Sequence, residues 1–133
     1  MAWTYESSTG KLFDPNMNLA GTGYAGGGLD KTNAEAAAGK NNPALQAEHN
    51  VGPLPVGWYM VNAPVDTRTH GPYVLWLTPD ADNEMFGRDA FGIHGDSVVD
   101  PGWASDGCMV QAHPVRVAVW ESGDRRLQVV AKV

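Results

Sequence analysis

One cysteine, Cys108, stands in a chain of 133 residues. No internal disulfide can form, so the redox compartment is left open. No apolar run is long enough to span a bilayer, and the N-terminus has no basic-then-apolar stretch of the kind found in cleavable leaders. The expectation is synthesis in the cytoplasm with no membrane insertion. Positive charge is scarce: nine Lys and Arg face fifteen Asp and Glu, for a net charge of −6. With no basic cluster anywhere, a nucleic-acid groove is excluded. The four histidines are scattered, with no His-x-x-x-His pair and no second cysteine, so the usual ligand spacing of a zinc site is missing. The acidic loop Thr78-Pro79-Asp80-Ala81-Asp82-Asn83 lacks the Gly and Glu of an EF-hand calcium loop. Gly21 to Gly28 is glycine-rich but has neither the Lys-Ser/Thr ending of a phosphate loop nor a strand-then-helix context. Neither a metal nor an organic cofactor is expected.

What is present is turn chemistry and short β-prone runs. Sixteen glycines and nine prolines are high for this length, while 43% hydrophobic and 18% charged residues suit one ordered domain with a single core. Trp3 to Leu12 reads as a hairpin turning at Thr9-Gly10. Gly57–Val61 reads as a strand, Tyr73–Thr78 as a buried strand, and Phe91–His94 as a strand end. The alternation of Val115, Val117 and Val119 predicts a further strand over 115–120, with Arg126 to Val133 as the last. Thr32 with Glu35 matches a capping box that opens an Ala-rich helix to Lys40. Asn41-Asn42-Pro43 ends it, and a weaker helical turn is expected over Pro43–Glu48. No linker or repeat divides the chain. The expected architecture is therefore mainly β, a single domain over residues 1–133, built as a sandwich or small barrel with one or two short helices.

The chemistry concentrates between Phe91 and Arg116. Cys108 follows a small polar turn, Ser105-Asp106-Gly107, and leads into a β-prone run. His94 ends an apolar run upstream. A thiol near neutrality becomes a nucleophile when a neighbouring imidazole takes its proton. A lone Cys with a His elsewhere is thus a candidate dyad, and equally a Cys can be a small buried hydrophobe.

His94-Gly95 followed by Ser105-Asp106-Gly107-Cys108 resembles the H-G … S-x-G-C signature of L,D-transpeptidase catalytic domains, the YkuD family. The chain is most similar to the type VI secretion L,D-transpeptidase effectors. The matching pieces run in order along it: Trp3-Thr4-Tyr5 with Ser8-Thr9-Gly10, Gly23-Tyr24, Asn41-Asn42-Pro43 with Gln46, and Gly52-Pro53-Leu54-Pro55 with Gly57 and Tyr59. Met85-Phe86-Gly87-Arg88, Phe91 with Ile93-His94-Gly95-Asp96, and Ala104 to Cys108 complete them. Three features depart from the broad family, the first being a shorter interval between His94 and Cys108 than is usual there. Asp106 stands where His is usual, and Val110 stands where an Arg is usual. Arg116 or Arg88 is then expected to take over substrate orientation. Leu29–Gly39 looks like an insertion.

The resemblance implies a YkuD-like fold and an enzyme acting on peptidoglycan stem peptides. Cys108 would be the acyl acceptor and His94 its base, with the N–H groups of Gly107 and Cys108 as oxyanion donors. Ser105 would orient the dyad or merely start the turn. Gly95, Asp96, Asp106, Arg88, Arg116 and Tyr24 are the expected substrate-binding residues. Asp106 would either close a turn on its own backbone or steer a substrate ammonium. His113 is a reserve base, and His49 and His70 are expected to face solvent. Implied partners are a cognate immunity protein and type VI secretion components, with action in the periplasm of a target bacterium. Two other readings stay open. One is a papain-like or NlpC-like hydrolase, disfavoured because its Cys precedes its His and starts a helix. The other is a non-catalytic wall- or partner-binding β module.

Overall fold

The computed structural model describes residues 1–133. Four short strands and their turns open the chain. β1 (Ala2–Glu6) buries Trp3 and Tyr5 on alternate positions, the period-two signature of a strand with one face on the core. A turn leads to β2 (Lys11–Phe13), which pairs antiparallel with β1 as expected. β3 (Leu19–Thr22) and β4 (Tyr24–Ala25) follow, separated by Gly23 alone. Next come helix α1 (Ala34–Ala37) and a 3₁₀ turn over Pro43–Leu45. The remaining elements are β5 (Gly57–Val61), β6 (Val65–Thr67), β7 (Gly71–Pro79), β8 (Gly92–His94), β9 (Met109–Val110), α2 (His113–Glu121) and β10 (Arg126–Val130). The fold is mainly β, one mixed sheet of ten strands with two short helices.

The sheet runs β3-β2-β1-β10-β5-β7-β8-β9-β4, with β6 paired to β7 off this path. β3 and β4 sit at opposite ends of the path yet are one residue apart in the chain. The chain itself therefore brings the two ends of the sheet together at Gly23, although β3 and β4 do not pair with each other. Gly23 makes that seam possible. Its N–H donates to the Gly10 carbonyl at 2.8 Å, and a Cβ on Gly23 would lie 1.7 Å from the Val110 carbonyl oxygen. The interior is filled by Trp3, Tyr5, Leu12, Leu54, Tyr59, Leu75, Ile93, Met109, Val119, Leu127 and Val129, all buried.

Two expectations require correction. The stretch 115–120 is helix, not strand. Pro114 suits the first turn of a helix, where its missing N–H costs nothing. The positions turned inward are Val115, Arg116, Val119 and Trp120, which is helical spacing and overrides the β-branched alternation. The first helix is also shorter than expected, and its cap is Asn33, whose side chain accepts from the Ala36 N–H at 3.1 Å. Thr32 is engaged elsewhere: its N–H and Oγ1 both donate to Asp30 Oδ1, at 2.9 and 2.7 Å. No helix is long and apolar enough to cross a membrane.

Candidate active site

The parallel pair β8–β9 sets the site. Its register matches Ile93 with Met109 and His94 with Val110, so one further step back sets Cys108 beside Gly92. Side chains two residues apart on a strand share a face, which makes His94 and Cys108 diagonal neighbours on one face. Gly92 offers no side chain to stand between them; a Cβ there would meet the Trp76 ring at 2.9 Å. Both residues line a single cleft of about 800 Å³, within the usual size of a ligand pocket, about 300–1,000 Å³.

His94 and Cys108 are both shifted toward their uncharged forms. His94 Nδ1 lies 2.7 Å from the Gly95 carbonyl oxygen, to which it donates, leaving Nε2 as the nitrogen able to take a proton. Burial is the main cause that holds the His94 imidazole below its ordinary range, reinforced by His70 and Arg116 and opposed by the Gly95 hydrogen bond and Asp96. The Cys108 thiol donates to the Ala90 carbonyl at 3.7 Å. Burial pushes the thiol up, Asp106 adds to this, and the Gly92 N–H, Arg88 and the Cys108 N–H pull it back. Both shifts favour the neutral form, so the cleft holds a neutral thiol and a neutral imidazole near neutral pH.

The turn that carries Cys108 is knotted from behind. Ser105 Oγ accepts from the Gly26 N–H at 2.9 Å and the Gly107 N–H at 3.1 Å, and donates to the Cys108 carbonyl. Ser105 therefore builds the turn and makes no hydrogen bond to His94 or the thiol. Because the Gly107 N–H is already engaged, Gly107 does not supply an oxyanion donor. The Cys108 N–H has no acceptor on another residue and remains available. Gly107 itself adopts a φ of +151°, and a Cβ there would meet Arg88 Nη2 at 2.6 Å.

Neither arginine expected to orient substrate is free to do so. Arg88, buried, donates through Nη1 to the carbonyls of Gln46 and Pro53 and through Nη2 to those of Gly52 and Asp106. It ties the Gln46 and Gly52-Pro53 segments to the turn that carries Cys108. Arg116 donates to the carbonyls of Tyr73, Gln111 and Pro72, fixing α2 against β7. Tyr24 and Asp96 also act on the protein. The Tyr24 hydroxyl donates to Asp96 Oδ1 at 2.5 Å and accepts from the Ala104 N–H at 3.0 Å. Asp96 further accepts from the N–H groups of Ser97 and Gly102. Together they brace the 96–104 loop that forms one wall of the cleft. Gly95 and Asp106 line the cleft, and the exposed Asp106 carboxylate forms no hydrogen bond, so the expected turn on its own backbone is absent.

Of the other histidines, His49 is exposed as expected, while His70 and His113 are placed differently from expectation. His113 packs edge-on against Tyr73 and lines a separate groove with Arg116, so it is not positioned to replace His94. His70, expected in solvent, is half-buried in the cleft wall, its ring centroid 5.0 Å from that of His94. His49 lines the cleft as well, with Nε2 3.0 Å from the Phe86 carbonyl oxygen. The β6–β7 hairpin and the Phe86 turn bring both in from afar, and nothing in their sequence neighbourhood signals it. No group of three or more His, Cys, Asp or Glu is placed to hold a metal ion. No family model, curated protein or solved structure matches the chain.

Proposed function

We propose that the protein is a cysteine-dependent L,D-carboxypeptidase or L,D-transpeptidase acting on the tetrapeptide stems of peptidoglycan. The observation that carries this reading is the shared cleft: a thiol and an imidazole on adjoining strands, with Nδ1 of the imidazole tied back so that Nε2 is left for chemistry. The substrate class and the YkuD-like assignment come from the sequence resemblance at His94-Gly95 and Ser105 to Cys108.

Cys108 Sγ attacks the carbonyl carbon of the third stem residue while His94 Nε2 takes the thiol proton. The Cys108 N–H donates to the oxygen as it becomes negative; a donor of this kind typically contributes a factor of about 100 to 1,000 in turnover. The C–N bond to the terminal D-Ala breaks as His94 returns the proton to the departing amine. The thioester then passes its acyl group to water, giving a tripeptide stem, or to a D-amino acid or second stem, giving exchange or cross-linking. With Arg88 and Arg116 engaged, substrate orientation falls to the cleft walls. The same resemblance makes the periplasm of a target bacterium the site of action, with a cognate immunity protein and type VI secretion components as partners.

A second reading has one observation in its favour. Cys108 is buried and its thiol is shifted toward the protonated form, as suits an inert thiol in a binding module. Product analysis separates the two. Incubation with purified tetrapeptide muropeptides yields tripeptide stems or D-amino-acid-exchanged stems if the enzyme reading holds. Unchanged muropeptides, with the protein folded and bound to them, would establish the binding module instead.

A further inference from the structure

His94 is held by a single hydrogen bond through its ring, from Nδ1 to the Gly95 carbonyl at 2.7 Å. One such bond leaves the ring free to rock about it. His70 packs against that ring, with centroids 5.0 Å apart and planes tilted by 55°. His70 is itself braced. Its ring packs edge-on against Trp76 at 5.3 Å and 80°, Thr69 Oγ1 lies 2.9 Å from its Nδ1, and its N–H donates to Thr67 Oγ1 at 2.8 Å. Trp76 is anchored in turn by strand pairing with Gly92, beside the catalytic cysteine.

We propose that His70 is a positioning residue for His94, its ring fixing the plane of the His94 imidazole so that Nε2 is aimed across the cleft. The inference rests on the reading of His94 as the base. His70 exchanges no proton in the reaction, since no hydrogen bond joins the two rings. Its contribution is geometric: a reacting group displaced by about 1 Å can lose about 100-fold in rate. The other charged or titratable groups around His94 are Arg116 from α2, Asp96 from the following loop and Cys108 across the strand pair. Arg116 is fixed by three carbonyls and Asp96 by Tyr24 and backbone N–H groups. His70 is the contact that substitution changes without dismantling the loop or the helix.

The test compares His70→Ala and His70→Phe in the full chain. His70→Phe keeps a flat ring against His94, and its kcat on tetrapeptide stems stays within roughly threefold of wild type. His70→Ala removes the wall, and kcat falls about 10- to 100-fold while KM changes little. NMR titration of the His94 ring gives a readout independent of turnover. Its midpoint rises toward the ordinary histidine value in His70→Ala, as water reaches the ring, and stays depressed in His70→Phe. An unmoved His94 midpoint in His70→Ala, or equal loss of turnover in both variants, would overturn the inference. Should the wild-type protein turn over no stem peptide, the proposed reaction fails while the His94 midpoints still decide the role of His70.

Discussion

The Arg88 guanidinium donates to the carbonyl oxygen of Asp106 at 3.0 Å, so a buried cation holds the turn two residues before Cys108. The same group reaches Gly52 and Pro53, both at 2.9 Å, and Gln46. Arg88→Lys keeps the charge but cannot reproduce a planar fork that serves four carbonyls. It is expected to destabilise the fold by about 2–4 kcal/mol, read from the urea midpoint, and to lower turnover as the turn loosens. Stability equal to wild type would show that the carbonyls do not need the guanidinium.

Tyr24 links the first half of the chain to the cleft wall through its hydroxyl, which serves Asp96 and Ala104 together. Tyr24→Phe removes both bonds and leaves the Asp96 carboxylate its backbone donors. The expected cost is about 1–2 kcal/mol in stability, with faster amide exchange confined to residues 96–104. Exchange unchanged in that loop would mean that Tyr24 does not brace it.

Burial of Cys108 predicts slow alkylation. A free thiol has a thiolate fraction of a few per cent at pH 7, and Cys108 has less because burial raises its pKa. Iodoacetamide is expected to react more slowly with Cys108 at pH 7 than with a small thiol, the gap closing as pH rises above the ordinary cysteine range. This reverses what activation by a preformed ion pair would give. A faster rate at pH 7 would establish a resting thiolate.

His94 makes the fold acid-sensitive. Its folded pKa lies below the unfolded value, so the unfolded state binds more protons between the two. The stability contributed by the neutral ring is full above about pH 6.5 and is lost as pH falls through the window below it. The urea midpoint of wild type is expected to fall between pH 7.5 and 5.5 by more than that of His94→Gln, which has no such group. Parallel declines in the two proteins would assign the acid loss elsewhere.

Much of this was readable from the chain, for identifiable reasons. Trp3 and Tyr5, Tyr59 and Val61, and Leu75 and Leu77 alternate because one face of each strand meets the core. His94 and Cys108 stood out as a lone thiol and an imidazole after an apolar run, and the β8–β9 register brings them to one cleft. What escaped was set by long-range packing. Val115, Val117 and Val119 alternate as a strand would, yet Arg116 binds the Pro72, Tyr73 and Gln111 carbonyls and makes the segment a helix against β7. The partners of Arg88 come from separate loops, which turns an expected substrate contact into a structural tie. His70 reaches the cleft through the pairing of β6 with β7, a relationship that spacing from His94 does not reveal.

The central claim is that the Cys108 sulfur carries the acyl group, and intact-protein mass spectrometry during turnover of a tetrapeptide stem tests it most directly. The account predicts a thioester adduct of tripeptide-acyl mass on Cys108, discharged by hydroxylamine, with neither adduct nor product in a folded Cys108→Ala variant. D-Ala release by Cys108→Ala at the wild-type rate would contradict it.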